Sequence, residues 1–517
     1  MKSQSKLSRR EALMNLAKLS AGFSLLSLFG ATALAQNPAD YPVDCTPPKP
    51  SGPATPFVPG KIAALPRKSA FALSTQEIAS LTLGFQKLRD LTVSQPNNPL
   101  GWLLQSYVHC WYCGGGTDGK AGEEIHSSWW FLPWHRCYLY FLERTLSKLA
   151  NDPNLRLPYW DWSTQSNLTQ TLPGIYNNNT SSLYDALRGV TTGDIIPSEF
   201  VGPQAMSIVL NASNFSLFGG VDTTINGGQA GQLERIPHNN VHNWTGTDGD
   251  TPPTYGSDMG VLATAARDPV FFCHHANVDR MWPSWQAVST THTNPTDSSW
   301  LNHSWTFYDE NGVWTSIKVS DVIDSKNLGY FYDNLATVPA SKNKIMTANT
   351  TGNASTTTAA AALTPLIAAP KEARTLKNDP ATHEVALPQV HKTSLQALSS
   401  GTGQQYLLTI DGVLIAPYSS VSAKVYVNYP KANAATTTEI PNFVGFISSV
   451  AKVRKGSSHT GHNHGPQRQV FEIGADLAAI LVKENAVKVT IVPINNRSKK
   501  PKTMEFSYGE ISLQPLK

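Results

Sequence analysis

The sequence predicts a mainly α-helical domain with long loops, followed by a C-terminal β-sandwich. Three observations carry this. Apolar residues recur at helical spacing in several stretches before residue 290, residues 165–232 are rich in Asn, Thr and Gly, and strand-like runs dominate beyond about residue 385. Ser74-x-x-Glu77 reads as a capping box. Ile78, Leu81, Phe85 and Leu88 follow on one face, so a helix is expected over 75–93. An apolar pattern from Trp102 to Val108 leads into His109. After Pro133, Tyr138, Leu142, Leu146 and Leu149 share a helical face. A further helix is expected through 267–287, with Val278, Met281 and Trp285 inward. In the C-terminal part, Tyr406–Ile410 and Val413–Ile415 flank Asp411-Gly412, the signal of a type I′ hairpin. Val425–Val427, Val470–Ile473 and Val487–Ile491 also read as strands.

The expected organisation is a leader over 1–35, a helical domain over 36–345, a linker over 346–384 and the β-sandwich over 385–517. The linker assignment rests on a Thr/Ala/Asn tract and several prolines. The chain has 517 residues and a formal charge of +4. Residues 1–35 hold Lys2, Lys6, Arg9, Arg10 and Lys18 against Glu11, so the entire excess lies there. A neutral body has no global field to gather nucleic acid or an anionic membrane. Ser8-Arg9-Arg10-Glu11, an apolar run from Ala21 to Leu34 and the small-residue site Ala33-Leu34-Ala35 form an export signal of twin-Arg type. The run is short for a bilayer span, so a membrane anchor is the weaker reading. The expectation is a periplasmic or secreted protein beginning near Gln36, without stable membrane association.

Five cysteines allow at most two disulfides. Cys110 and Cys113 have CxxC spacing, but no second CxxC exists, which excludes a paired four-cysteine zinc site. The histidines carry more. His109, His126 and His135 fall in the first third, His238 and His242 are spaced to share a helical face, and His274-His275 follow. Imidazole groups without thiolate or carboxylate suit Zn, Cu, Fe or Ni rather than Mg or Mn. A zinc protease of the HExxH type would need Glu after the first His, where Asn239 stands. Copper storage would favour thiol and thioether ligands.

The segment His126-Ser-Ser-Trp-Trp-Phe-Leu-Pro-Trp-His135-Arg136-Cys-Tyr-Leu139-Tyr-Phe-Leu-Glu143 resembles the CuA signature of tyrosinases. Asp268-Pro269-Val-Phe271-Phe-Cys-His274-His275-Ala-Asn-Val-Asp279 resembles their CuB signature. His109-Cys110-Trp111-Tyr112-Cys113 and Leu328-Gly329-Tyr330-Phe331-Tyr332 are similar to plant-type polyphenol oxidases. The resemblance implies a four-helix core holding two copper ions. His109, His126 and His135 would bind CuA, and His238, His242 and His275 would bind CuB, with His274 a structural neighbour. It implies a Cys113–His126 thioether and a Cys45–Cys110 disulfide; a Cys110–Cys113 disulfide is the alternative pairing. Asp279 would fix ligand tautomers, Asn243 would lie near the entrance, and Leu262 would stand at a gate that is often Phe in plant catechol oxidases. Glu234 and Asn239 would hold a water that takes the phenol proton. The implied reaction uses dioxygen to hydroxylate monophenols and oxidise o-diphenols to o-quinones, as in a tyrosinase. A catechol oxidase limited to o-diphenols is the runner-up and a haemocyanin-like oxygen carrier the third reading. The partners implied are small phenols and the chain's own C-terminal domain, which would shield the copper entrance in cis. Tyr330 and Tyr332 would close the catalytic domain with Arg67 as a partner. His459, His462 and His464 read as a solvated loop, with copper delivery a weaker alternative.

Overall fold

The computed structural model describes residues 45, 48, 50, 52–60, 63–113, 124–225, 228–246, 258–339, 363–453, 465–495 and 504–516. The leader, residues 346–362 of the expected linker and the His459/His462/His464 loop lie outside these residues.

Five helices build the frame around the histidines: α1 (Thr75–Ser94), α2 (Trp102–Tyr112), α3 (Phe131–Ala150), α4 (Asn239–Thr245) and α5 (Val270–Val288). The capping box at α1 is formed in full, with the Ser74 side chain accepting from the Glu77 N–H and Glu77 accepting from the Ser74 N–H. A π-turn over Glu234–His238 precedes α4. Pro237 lacks an N–H and breaks the regular ladder there, which suits a widened turn. Helix α3 is buried over most of its length, and Trp134 and Tyr138 stack into an aromatic core with Phe271, Phe272 and Phe307.

Thr55–Pro56 pairs with Trp314–Lys318, and Leu65–Arg67 pairs in parallel with Tyr330–Tyr332. The last pairing seats Arg67 between the two tyrosines. Its guanidinium lies 3.5 Å from the Tyr330 ring centre and donates to the Tyr332 hydroxyl at 3.2 Å.

The C-terminal part is a sandwich of two four-stranded antiparallel sheets. Its strands are β1 (Leu366–Ala369), β2 (Ala381–Ala386), β3 (Tyr406–Val413), β4 (Val421–Val427), β5 (Phe443–Ser449), β6 (Gln467–Ile473), β7 (Ala486–Pro493) and β8 (Ile511–Pro515). One sheet runs β5-β4-β7-β2 and the other β6-β3-β8-β1. Two expectations are corrected here. Residues 366–384 are not linker, since β1 and most of β2 fall there and are the edge strands of the two sheets. Pro365, Pro370 and Pro380 only punctuate them, as an edge tolerates. Asp411-Gly412 is not a hairpin turn, because β3 continues through it. Gly412 has φ +70°, and the pairing with β6 slips by one residue there, so the glycine serves a bulge.

Strand β4 is buried along its whole length. Val421, Ala423, Val425 and Val427 face the sandwich core, while Tyr426 joins the core of the helical domain. Phe443, Phe446, Val470 and Val492 do the same, and Phe446 meets Phe200 at 5.7 Å between ring centres. The sandwich is thus packed against the helices through a shared apolar core. Among the described residues, no helix is long and apolar enough to cross a membrane.

Candidate metal centre

Every histidine of the two expected triads is buried. His109 comes from the end of α2, His135 from the second turn of α3, His238 from the π-turn, His242 from α4, His274 and His275 from α5, and His126 from the loop before α3. Within the first triad the ring centres are 5.4 to 5.6 Å apart. Within the second they are 4.6 to 5.4 Å apart. The triads face each other, with His135 stacked on His275 at 4.1 Å.

The hydrogen bonds decide which nitrogen is available. His109 Nδ1 donates to the Leu262 carbonyl at 2.8 Å, His135 Nδ1 to that of Phe131 at 2.7 Å and His242 Nδ1 to that of Met259 at 2.8 Å. His238 Nδ1 meets Asn239 Oδ1 at 2.9 Å. A carbonyl can only accept, so each Nδ1 carries the proton and each Nε2 is a bare lone pair. Burial and the neighbouring imidazoles hold His109, His135, His238 and His275 well below the usual histidine range, and burial brings His242 down to about 3. The rings are therefore neutral, as metal ligation requires. His135 Nε2 and His238 Nε2 are buried with no hydrogen-bond partner among the described residues. Orphaned imidazole nitrogens converging from two triads fit two copper ions.

His274 differs. The Trp162 indole N–H donates to its Nδ1 at 3.1 Å, so in the neutral ring Nε2 carries the proton. His274 lies within the second cluster but offers no lone pair toward it. His275 Nε2 instead lies 3.2 Å from His242 Nε2, the separation of two donors facing one site.

Cys45 is bonded to Cys110, and Cys137 and Cys273 are buried free thiols. Cys113 is also a free thiol, with Sγ 3.5 Å from His126 Nδ1. The pair expected to form a thioether is in contact. Asp279 requires a correction. It lies one turn beyond His275, yet its carboxylate touches no histidine. It accepts from Arg136 Nε at 2.6 Å, Tyr330 Oη at 2.7 Å and Tyr332 Oη at 2.5 Å, with Arg67 Nη1 at 3.5 Å. These donors use up its lone pairs, and Asp279 ties the end of the helical domain to α3 and α5.

Glu234, Asn239, Leu262, Ser448, Val450 and Lys452 line a cavity of about 60 Å³ above His126. That holds a few waters and not a phenol. Both Glu234 oxygens accept from the Ser127 N–H, at 2.9 and 3.0 Å. Asn239 does not face Glu234 freely, since its Nδ2 donates to Ser448 Oγ at 3.1 Å. Asn243 Nδ2 donates to the Ser449 carbonyl at 2.9 Å. The Leu262 side chain packs with Cys113 and Val450. Residues 448–452 of the sandwich thus lie over the entrance. Sequence reasoning missed them and their partner Glu124, because no local motif marks a contact made across some 330 residues. Glu124, two positions before His126, was the one visible hint.

These features define a type-3 copper fold. Residues 99–203 and 185–288 match the family model described as the common central domain of tyrosinase, and 294–345 match the polyphenol oxidase middle domain. Polyphenol oxidase B of Solanum lycopersicum is 32% identical over 461 residues, covering 83% of this chain and 74% of its own. Catechol oxidase B of Solanum tuberosum is 31% identical over 451 residues, covering 83% and 73%. The solved structure of latent apple tyrosinase superposes with a TM-score of 0.69 at 27% identity, over 89% of this chain and 99% of that one. The chain belongs to the polyphenol oxidase family of copper oxidases.

Proposed function

We propose that the chain is a latent tyrosinase, hydroxylating monophenols and oxidising o-diphenols. The observation that carries the copper part is the pair of facing imidazole triads, in which the backbone and Asn239 acceptors leave Nε2 of His109, His135, His238 and His242 unprotonated. Two copper ions held there would bind and activate dioxygen. The protein's own part is to fix the ligands, admit the phenol edge-on past Leu262 and accept its proton. Leu262 is smaller than the Phe often found at that position, which favours entry of a monophenol. Glu234 is the acceptor, acting through water once Asn239 is released from Ser448. The alternative is a catechol oxidase, supported by the potato relative's name. Oxygen uptake with a monophenol, after removal of any catechol primer, discriminates them. Hydroxylation is expected; intact o-diphenol oxidation without it would leave the catechol oxidase reading.

Latency follows from the covered entrance and is the state named for the apple structure. The substrate must displace residues 448–452, since about 60 Å³ cannot admit it.

Burial raises the Glu234 carboxyl to about 8, against the Ser127 N–H, which lowers it. A carboxyl raised on folding favours the native state fully below about pH 4.5, and the advantage is lost as pH rises through 8. The copper-free chain should therefore be less stable, and melt lower, at pH 9 than at pH 6, with up to about 1.4 kcal/mol lost per pH unit from this group until pH passes 8. Glu234→Gln should flatten that slope; an unchanged slope in the variant would assign it elsewhere. Bound copper would pull the carboxyl down again and make it the acceptor the reaction needs.

A further inference from the structure

Three of the six proposed copper ligands are held in place through partners that are themselves bonded to the sandwich. His109 donates to the Leu262 carbonyl, and the Leu262 N–H donates to the Ala451 carbonyl at 2.8 Å. The neighbouring Ala263 N–H donates to the Lys452 carbonyl at 3.1 Å, so this is a short parallel pairing and not a chance touch. His238 meets Asn239 Oδ1, and Asn239 Nδ2 donates to Ser448. The His126 N–H donates to Glu124 Oε1 at 3.0 Å, with His126 Nδ1 at 3.3 Å from the same oxygen, and Lys452 Nζ donates to Glu124 Oε2 at 2.8 Å. One run of five residues therefore reaches ligands of both triads. His135 is different, being fixed by Phe131 within its own helix.

We propose that residues 448–452, besides covering the entrance, position the copper ligands, so that the docked sandwich raises the chain's affinity for copper. The proposal rests on the dicopper reading above. The physical reason is tautomer and aim. A ligand imidazole binds tightly only when its second nitrogen donates to a fixed acceptor. Asn239 and Glu124 are side chains on a π-turn junction and a loop. Ser448 and Lys452 remove their freedom to rotate away. Without those bonds the ligands would still be present, but ordering them would have to be met from the binding free energy of the metal.

The sign separates this from a charge effect. Lys452 is a cation near a site for cations, so plain electrostatics predicts that its removal strengthens copper binding. Positioning predicts the reverse. The test measures equilibrium copper affinity of the full-length chain by chelator competition for the wild type, Lys452→Met, Lys452→Arg and Ser448→Ala. Lys452→Met and Ser448→Ala are expected to weaken copper binding about tenfold or more. Lys452→Arg should restore it. Lys452→Met should also lower the metal-free melting temperature, because it leaves the buried Glu124 carboxylate without its cation, whereas Ser448→Ala should weaken copper binding with little change in that temperature. Unchanged or tighter binding in Lys452→Met overturns the proposal while leaving the dicopper reading intact. So does a loss in Ser448→Ala that follows the metal-free melting temperature, or one in Lys452→Met that Lys452→Arg fails to restore. A wild type that takes up no copper overturns both.

Discussion

Replacing His238 with alanine is expected to leave a folded chain that holds one copper in place of two and oxidises catechol at least roughly a thousandfold more slowly. The figure follows from the several kcal/mol that a metal contributes to such a reaction, at tenfold per about 1.4 kcal/mol. His238 is the most informative of the six. It sits beside both His242 and His275, with ring centres at 4.6 and 4.9 Å, and its Nε2 has no hydrogen-bond partner among the described residues. His274→Ala is the paired control. It is equally buried and only 5.5 Å away, but its Nδ1 accepts from Trp162. His274→Ala should keep two coppers and lose mainly stability. Copper analysis of both proteins checks the assignment. Loss of copper from His274→Ala with retention in His238→Ala would reverse it.

Phe446→Ala should raise the catechol oxidation rate of the full-length chain by a factor on the order of a hundred per bound copper. Phe446 is fully buried on β5 and inserts between Phe443 of its own strand and Phe200 of the helical domain. Truncating such a phenylalanine costs about 3 kcal/mol or more. Part of that falls on docking, because the ring belongs to the helical domain's core. If the covered form dominates, each 1.4 kcal/mol lost from docking raises the open fraction about tenfold. The substitution is remote from the copper mouth, so KM for catechol in the open form should not change. Steady-state rates on the intact chain, with electrophoresis to show that no cleavage occurred, measure it. A destabilised variant with an unchanged rate would mean that access is not governed by the sandwich.

The histidines were legible in the sequence because ligation imposes residue type and spacing together. His238 and His242 had to share a face, and the two signatures fixed the order of the rest. Asp279 shows the limit of that logic. Helical spacing placed it one turn beyond His275, but spacing does not say what faces it, and Arg136, Tyr330 and Tyr332 claimed it first. The helices α1, α3 and α5 were readable from period and caps. The Asp411-Gly412 hairpin was misread because a positive-φ glycine serves a bulge as well as a turn. The prolines of 365–380 looked like linker because an edge strand tolerates what a central strand rejects. The cover over the copper mouth was invisible for a different reason. Ser448, Val450 and Lys452 acquire meaning only from Asn239, Leu262 and Glu124, which lie some 190 to 330 positions earlier in the chain.

The most direct test of the central claim is the metal content of the purified full-length chain, read with its absorbance after addition of hydrogen peroxide. The account predicts two coppers per chain and a strong near-ultraviolet band that is lost in His238→Ala. One zinc per chain, or copper in His238→Ala equal to that of the wild type, would contradict it.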